Sequence, residues 1–134
     1  MKFDHIGIFV KQLDYGFKKF EELFKIAKAS KIYNDQLLQV SVQFLYDCQN
    51  ICYELVAPYG PKNPVDAVLK AGNNNLNHLA YKSPNFDIEV LRLRQRGCIP
   101  LGEAKPALAF SGARVIFFLI PLKLILELIE EVEK

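Results

Sequence analysis

Two histidines and two glutamates share one repeated spacing in this chain of 134 residues. His5 and His78, the only histidines present, are 73 residues apart, and Glu54 and Glu127 are separated by the same number of residues. Each of the four lies in a run of mostly apolar residues that predicts a β-strand. Charged side chains are costly to bury in such strands unless they are paired or bind a metal. Two imidazoles and two carboxylates could therefore bind one divalent ion, such as zinc, nickel, cobalt, manganese or iron(II).

Each of these residues also has a structural explanation when it is taken singly. A lone strand histidine is more often a hydrogen-bonded structural residue than a ligand, and a glutamate on an edge strand can reach solvent. The joint pattern favours the metal, because both histidines and both glutamates occupy one repeat offset. We therefore predict a metal site formed by His5, Glu54, His78 and Glu127.

The same offset relates the two halves of the chain from the first predicted strand to the last. Val42 falls on Val115, and Phe44 falls on Phe117. An internal repeat outranks local signals in a fold prediction. We predict a single domain, residues 1–134. It consists of two modules, residues 1–57 and 74–130, which are joined by a linker, residues 58–73.

Each half shows the same predicted order of elements, namely a strand, a helix and then two or three strands. In the first half Asp14 is the expected cap of the helix, and in the linker Asn63 is the expected cap of a short helix. Phe17, Phe20, Leu23 and Phe24 recur at helical spacing, and we expect the three phenylalanines in the core. We predict an α+β fold of two paired βαβββ modules, which form a curved and mostly antiparallel sheet with the helices outside.

Composition and charge exclude several functional classes. A hydrophobic content of 51% is enough for a core without disulfides. The net charge of +2, without a basic run, argues against nucleic acid as a partner. No apolar run approaches the length of a membrane span, and no signal segment precedes the first strand. With three cysteines predicted as reduced thiols, we expect a cytoplasmic protein.

The four strands that carry the candidate ligands have the sequences DHIGIFV, YELVAP, NHLAYKS and LILELIE. They resemble the signature strands of the vicinal oxygen chelate superfamily, which includes glyoxalase I, methylmalonyl-CoA epimerase, extradiol dioxygenases and bleomycin-resistance proteins. The resemblance covers almost the whole chain, and the linker is most similar to the epimerase-like branch. It implies that His5, Glu54, His78 and Glu127 bind one divalent ion (zinc, nickel, cobalt or manganese) and that the protein forms a homodimer.

The resemblance further implies an isomerase or epimerase that abstracts a proton next to the carbonyl of an acyl thioester. Glu127 matches the position of the catalytic base, and Glu54 is its equivalent in the other half. An epimerase also needs a second acid/base, which is a glutamate in the family. This chain departs from the pattern, because strict pairing places Leu37 there, and Asp35 could serve only if the loop is one or two residues longer.

Two other functions stay open at this stage. One is a glyoxalase-I-type lactoylglutathione lyase, which would act on a hemithioacetal with the same ion and the same base. The other is a metal-free protein of the resistance type that binds a small molecule. Retention of all four ligand positions counts against the metal-free protein and against an iron dioxygenase, which uses two histidines and one carboxylate. A segment that contains Lys105, Pro106 and Phe110 is predicted to cover the substrate pocket.

Overall fold

The computed structural model describes residues 1–72 and 75–132, which divide into two compact units. The N-terminal unit is His5–Asn77, and the C-terminal unit combines Met1–Asp4 with the chain from His78 onward. The described residues form three α-helices, which are α1 (Leu13–Leu23), α2 (Pro64–Lys70) and α3 (Phe86–Gln95). They also form ten strands, which are β1 (Lys2–Phe9), β2 (Ile26–Ala29), β3 (Tyr33–Asp35), β4 (Val40–Asp47), β5 (Cys52–Pro58), β6 (Leu76–Ser83), β7 (Ile99–Pro100), β8 (Lys105–Pro106), β9 (Arg114–Leu119) and β10 (Ile125–Glu130).

The strands of the N-terminal unit are arranged in the order β2-β4-β5-β1. The pair β1–β5 is parallel and the other pairs are antiparallel. The short strand β3 also pairs with β4, so β2 and β3 together serve as one interrupted strand beside it. Helix α1 packs on this sheet through a buried cluster that consists of Leu13, Leu45, Leu55 and Ala57. The unit is therefore one βαβββ module.

The C-terminal unit repeats this arrangement with the strand order β6-β10-β9-β7. Here β6–β10 is the parallel pair, and both short strands, β7 and β8, pair antiparallel with β9. Helix α3 covers the sheet with Phe86 and Leu93, which pack against Phe118, Leu126 and Leu128. This unit is the second βαβββ module.

The pairing register of the two units carries the 73-residue offset of the sequence. Glu54 pairs with Phe44 across the antiparallel pair, and Glu127 pairs with Phe117 in the same way. Val42 and Val115, which the repeat makes equivalent, pair with positions that are again 73 residues apart, Val56 and Ile129. The predicted α+β class with two βαβββ modules is confirmed.

Two local predictions for the first helix are wrong. Gln12 occupies the N-cap position of α1 without a side-chain cap hydrogen bond, whereas Asp14 lies in the first turn, where its side chain accepts a hydrogen bond from the amide of Tyr15 at 2.8 Å. Phe24, which is expected in the core, is 52% exposed, because the helix ends at Leu23 and the chain becomes extended at Phe24. Negative charge in the first turn still favours the helix through its dipole.

The predicted linker helix is confirmed as α2. The Asn63 side chain accepts hydrogen bonds from the amides of Val65 and Asp66, both at 2.9 Å, and Pro64 occupies the first turn. Both features are local, since the cap satisfies amides that have no partner within the helix. Across the described part of the chain, no α-helix is long and apolar enough to cross a lipid bilayer.

Candidate metal centre

The half-site of the N-terminal unit consists of His5 on β1 and Glu54 on β5. These strands run parallel with Gly7 opposite Glu54, so His5, two residues before Gly7, points to the same face of the sheet. His5 is fully buried and Glu54 is 5% exposed. The His5 Nε2 atom lies 3.3 Å from Glu54 Oε1. The parallel register thus places one imidazole nitrogen beside one carboxylate oxygen away from solvent.

The half-site of the C-terminal unit consists of His78 on β6 and Glu127 on β10. Ala80 lies opposite Glu127 in the parallel pair, so the geometry of the first half-site recurs 73 residues later. Both residues are 4% exposed, and His78 Nε2 lies 3.3 Å from Glu127 Oε1. Each unit therefore buries one predicted histidine ligand beside one predicted glutamate ligand.

A phenylalanine completes each half-site. Phe44 and Phe117 are the antiparallel partners of Glu54 and Glu127. The ring of Phe44 is edge-on to His5 with 5.7 Å between centroids, and Phe117 is edge-on to His78 at 5.4 Å. Edge-to-face contacts of this kind restrict ring orientation and exclude water. The sequence alignment of the halves pairs these phenylalanines but assigns them no role, and their contact with the histidines depends on the strand register.

The distances within each half-site fit two ligands of one metal ion. Two donor atoms that each lie about 2.1 Å from an ion, about 100° apart around it, are about 3.2 Å from each other. The observed separations of 3.3 Å match this value. A buried carboxylate needs a positive partner, which a metal ion or a protonated imidazole can provide. His5, Glu54, His78 and Glu127 are thus side chains of the described residues that could hold a metal ion.

Asp35, the candidate second acid/base, closes the hairpin between β3 and β4. Its Oδ1 atom accepts hydrogen bonds from the amides of Leu37 and Leu38 at 3.0 and 2.9 Å, and the residue is 6% exposed. Asp35 pairs with Val40, four residues before Phe44 on β4, so its side chain points to the sheet face that carries Glu54. Leu37, the residue that strict pairing favours, is 58% exposed. Of Asp35 and Leu37, only Asp35 is an acid, and its side chain lies on the sheet face that carries Glu54.

A cavity of about 910 Å³ lies in the C-terminal unit on the strand face that carries Glu127. Its lining includes Phe110, one of the residues predicted to cover a pocket, together with Lys82 and Ile129. Lys105 and Pro106, the other two predicted residues, are exposed on β8 and are not part of the lining. Of the three residues, Phe110 alone lines this cavity. Lys82 was not predicted from the sequence, because its place beside Ile129 depends on the register of β6 and β10.

The opposite face of the C-terminal sheet carries a network of ion pairs. The guanidinium of Arg114 donates to Glu130 at 2.7 Å and to Asp87 at 3.1 Å, and it lies 4.6 Å from the ring centroid of Phe86. Hydrogen bonds to Glu130 and then to Asp87 raise the pKa of Arg114, and the bond from Arg114 lowers the pKa of Glu130. These ion pairs connect the first turn of α3 to β9 and β10, the strands that carry Phe117 and Glu127.

Comparison with known proteins agrees with this fold. A protein-family model for the Glyoxalase/Bleomycin resistance protein/Dioxygenase superfamily matches residues 4–117, a range that includes His5, Glu54 and His78 and ends before Glu127. No curated protein was found to match the sequence.

Several solved structures are similar to the chain. One is a hypothetical protein from Bacillus halodurans C-125, with a TM-score of 0.82 at 21% identity over 99% of this chain and 96% of the other. Another is methylmalonyl-CoA epimerase from Mycobacterium tuberculosis, with a TM-score of 0.81 at 20% identity over 98% and 89% of the two chains. A third is methylmalonyl-CoA epimerase from Streptomyces coelicolor in complex with 2-nitronate-propionyl-CoA, with a TM-score of 0.78 at 18% identity over 99% of both chains.

At these identities the structural likeness shows a shared fold. The family model, in contrast, matches well over half of the sequence, and the predicted resemblance to the superfamily is thereby confirmed. The chain belongs to the glyoxalase, bleomycin resistance and dioxygenase superfamily, the vicinal oxygen chelate group.

Proposed function

We propose that the protein is a divalent-metal-dependent isomerase or epimerase that abstracts a proton next to the carbonyl of an acyl thioester. The observation that carries this proposal is the pair of buried half-sites, each with an imidazole nitrogen 3.3 Å from a carboxylate oxygen. Further support comes from similar structures that are methylmalonyl-CoA epimerases, among them complexes with 2-nitronate-propionyl-CoA and with methylmalonyl-CoA.

In this proposal His5, Glu54, His78 and Glu127 hold one divalent ion, which is zinc, nickel, cobalt or manganese. When it is bound, such an ion supplies Lewis-acid stabilisation for the negative charge that develops on the carbonyl oxygen. The edge-on phenylalanines, Phe44 and Phe117, keep the imidazoles in the orientation that ligation needs. This arrangement rests on the repeat and on the family resemblance.

Glu127 is the proposed base. The C–H bond next to the carbonyl breaks, the proton passes to the Glu127 carboxylate, and the electron pair remains on the substrate as an enolate. The assignment of Glu127 as base follows the family resemblance, which places the catalytic base at this position. Glu54 is the equivalent residue in the other unit and the alternative base.

The fate of the proton decides between isotope exchange and inversion. If Glu127 returns the proton to the face from which it came, the carbon keeps its configuration and only exchanges hydrogen with solvent. If a second acid delivers a proton to the opposite face, the carbon is inverted. Asp35 is the proposed second acid, since it is a buried carboxylate on the sheet face that carries Glu54. We further propose a homodimer and a cytoplasmic location, which sedimentation analysis and cell fractionation would test.

The proposal is tested by elemental analysis of the purified protein, followed by solvent-deuterium exchange on methylmalonyl thioesters. We expect about one transition metal per chain and deuterium at the carbon next to the carbonyl, both lost after chelation. Conversion of a glutathione hemithioacetal without exchange on thioesters would instead identify a lyase. A protein that binds no metal and exchanges no proton would point to the metal-free resistance type.

A further inference from the structure

The turn between β3 and β4 follows Asp35, the proposed second acid, and is held at both of its ends. Asp35 is the last residue of β3, and its Oδ1 atom accepts the amides of Leu37 and Leu38. Gln39 is the last residue of the turn and directly precedes Val40, the cross-strand partner of Asp35. Because the turn is short, its shape couples the position of Asp35 to that of Gln39.

Gln39 has a backbone conformation that glutamine rarely adopts. Its φ of +57° lies in the left-handed region, which turns usually fill with glycine or asparagine. A glycine would form the same turn without the steric cost. The side chain of Gln39 therefore needs an explanation beyond the formation of the turn.

The side chain of Gln39 binds the segment that follows β5. Its Oε1 atom accepts a hydrogen bond from the amide of Lys62 at 2.7 Å, and its backbone carbonyl accepts one from the amide of Tyr59 at 3.1 Å. The segment is itself fixed to the start of α2, because the Asn63 side chain donates to the carbonyl of Gly60 at 2.6 Å. Gln39 thus connects the turn to a capped helix.

Gly60 leaves the space that the Gln39 side chain occupies. A Cβ atom on Gly60 would overlap Gln39 Oε1 and would lie 2.9 Å from Cδ of the same side chain. The φ of Gly60 is outside the left-handed region, so its backbone does not require glycine. The lack of a side chain at Gly60 is therefore explained by the docked amide of Gln39.

The contact of Gln39 with this segment does not depend on the charge of Asp35. A second acid gives up and regains a proton, and an ionised carboxylate accepts amide hydrogen bonds more strongly than a protonated one. The hydrogen bonds from Leu37 and Leu38 to Asp35 therefore change in strength during the reaction. The amide of Gln39 carries no titratable proton, so its bond to Lys62 stays constant.

We infer that Gln39 is a positioning residue that holds Asp35 on its sheet face. The inference rests on the proposed function, because it takes Asp35 as the acid that inverts the carbon. Gln39 itself transfers no proton, since a side-chain amide is neither an acid nor a base at neutral pH. Loss of its side chain should therefore slow inversion and spare the removal of the proton by Glu127.

The test measures inversion and deuterium exchange of methylmalonyl-CoA at saturating concentration in Gln39→Ala, Gly60→Ala and Gln39→Glu. We expect Gln39→Ala to slow inversion about tenfold or more, since a displacement of about 1 Å can cost this much, while deuterium exchange stays within about twofold. Gly60→Ala should have the same effect, because its methyl group displaces the glutamine side chain. Gln39→Glu keeps the accepting oxygen and should restore inversion.

The double variant Gln39→Ala/Gly60→Ala shows whether the two residues act through one contact. Without the glutamine side chain the added methyl group has nothing to displace, so the double variant should invert no more slowly than Gln39→Ala. Gln36→Ala, which removes an exposed glutamine of the same turn, is the control and should leave both rates unchanged. The inference is overturned if Gln39→Ala lowers inversion and exchange by the same factor, if it lowers neither, or if the losses of the single variants multiply in the double variant.

Protection of backbone amides separates this inference from the proposed function. If the unmodified protein does not invert the carbon, the role proposed for Asp35 fails, and hydrogen exchange of the Leu37 and Leu38 amides, followed by NMR, becomes the readout. Faster exchange of both amides in Gln39→Ala, but not in the control, would still show that Gln39 holds the turn that Asp35 begins. Unchanged protection of these amides would overturn the inference.

Discussion

The His5–Glu54 half-site of the N-terminal unit and the His78–Glu127 half-site of the C-terminal unit have the same nitrogen-to-oxygen distance, 3.3 Å. Each also has an edge-on phenylalanine, with centroid separations of 5.7 and 5.4 Å. The surroundings differ. The position equivalent to Lys82, which lines the cavity of the C-terminal unit, is the buried Phe9 in the N-terminal unit.

A second difference lies beside the two phenylalanines. In the N-terminal unit the ring of Tyr33 packs against Phe44 at 6.3 Å, and Lys31 lies 5.2 Å from the centre of the Tyr33 ring. The equivalent of Tyr33 in the C-terminal unit is Pro106, which is exposed. Aromatic packing therefore continues past Phe44 in the N-terminal unit, whereas a proline takes the place of the second ring in the C-terminal unit. The proposed ranking of Glu127 above Glu54 as the base still rests on the family resemblance, because the repeat alone does not supply it.

The helix-facing sides of the two sheets have diverged further. Arg114 joins Asp87 and Glu130 in the C-terminal unit. The equivalent positions of the N-terminal unit hold Ser41, Asp14 and Ala57, and the Ser41 hydroxyl donates to Asn34 instead. The two units thus keep the same residue types in the half-sites, where donor atoms must lie at fixed distances. They differ on the helix-facing side of the sheet, where several kinds of packing can hold a helix.

The largest expected effect comes from comparing the two half-sites through the variants Glu127→Gln and Glu54→Gln. Glutamine keeps an oxygen for the ion and removes most of the basicity. We expect Glu127→Gln to slow proton exchange by about 10²–10⁴-fold, the usual effect of losing a general base. Glu54→Gln should slow it far less at equal metal occupancy, as measured by deuterium incorporation together with elemental analysis. Equal losses in the two variants would show that the half-sites share the proton transfer.

Asp35→Asn tests whether the N-terminal unit supplies the second acid. Asparagine retains the oxygen that accepts the amides of Leu37 and Leu38, so the hairpin should persist. We expect epimerisation to fall by about 10²-fold or more while deuterium exchange continues, because Glu127 can still remove and return the proton. Chiral analysis of the product and mass spectrometry measure the two rates separately. If epimerisation and deuterium exchange fall together, or if neither falls, Asp35 is not the second acid.

The phenylalanines test whether the half-sites are equal in metal binding. Phe44→Leu and Phe117→Leu each remove an edge-on contact with a histidine. Such contacts contribute about 0.5–1.5 kcal/mol, so we expect each variant to weaken metal affinity by about 2–10-fold. Competition with a chelator measures the affinity, and the absorption spectrum of the cobalt form reports the ligand geometry. Replacement of Phe117 by tyrosine, which keeps a ring, should restore both. A lower Tm with unchanged metal affinity would show that the phenylalanines contribute only to core packing.

The smallest expected effect concerns the network that only the C-terminal unit has. Arg114→Gln should lower the free energy of unfolding by about 0.5–1 kcal/mol at neutral pH, because partly exposed ion pairs contribute little. The pKa of Glu130 is lowered in the folded protein by its bond to Arg114. The contribution of Glu130 is therefore present above its unfolded pKa and is lost as the pH falls through the lower folded value.

Urea unfolding of the unmodified protein and of Arg114→Gln, at pH 7 and near pH 3, measures this effect. We expect the two proteins to differ at pH 7 and to converge at the acidic pH. Ser41→Ala, at the equivalent position of the N-terminal unit, is the matched control and should show no comparable pH dependence. A difference that persists unchanged in acid would assign the role of Arg114 to its packing on the Phe86 ring.

Much of the fold and all four candidate ligands follow from the sequence. The 73-residue offset is a property of the chain itself, and it pairs the histidines and the glutamates before any contact is known. Local signals with local causes are equally readable: Asn63 caps α2 through amides two and three residues away, and Gly97, with φ at +91°, follows the end of α3. The resemblance adds the superfamily, which the match over residues 4–117 confirms.

Other features were decided by contacts between residues far apart in sequence. The edge-on contact of each phenylalanine with its histidine, the place of Lys82 beside Ile129 and the Arg114 network all depend on strand register, which only long-range pairing sets. The predictions for Asp14 and Phe24 are wrong because periodicity shows which residues share a helix face but not where the helix begins and ends, and α1 runs only from Leu13 to Leu23. The residue types of the half-sites are thus determined by the sequence. Their burial, their 3.3 Å separations and the cavity on one side are determined by the tertiary structure, since the strands that carry them meet only in the folded chain.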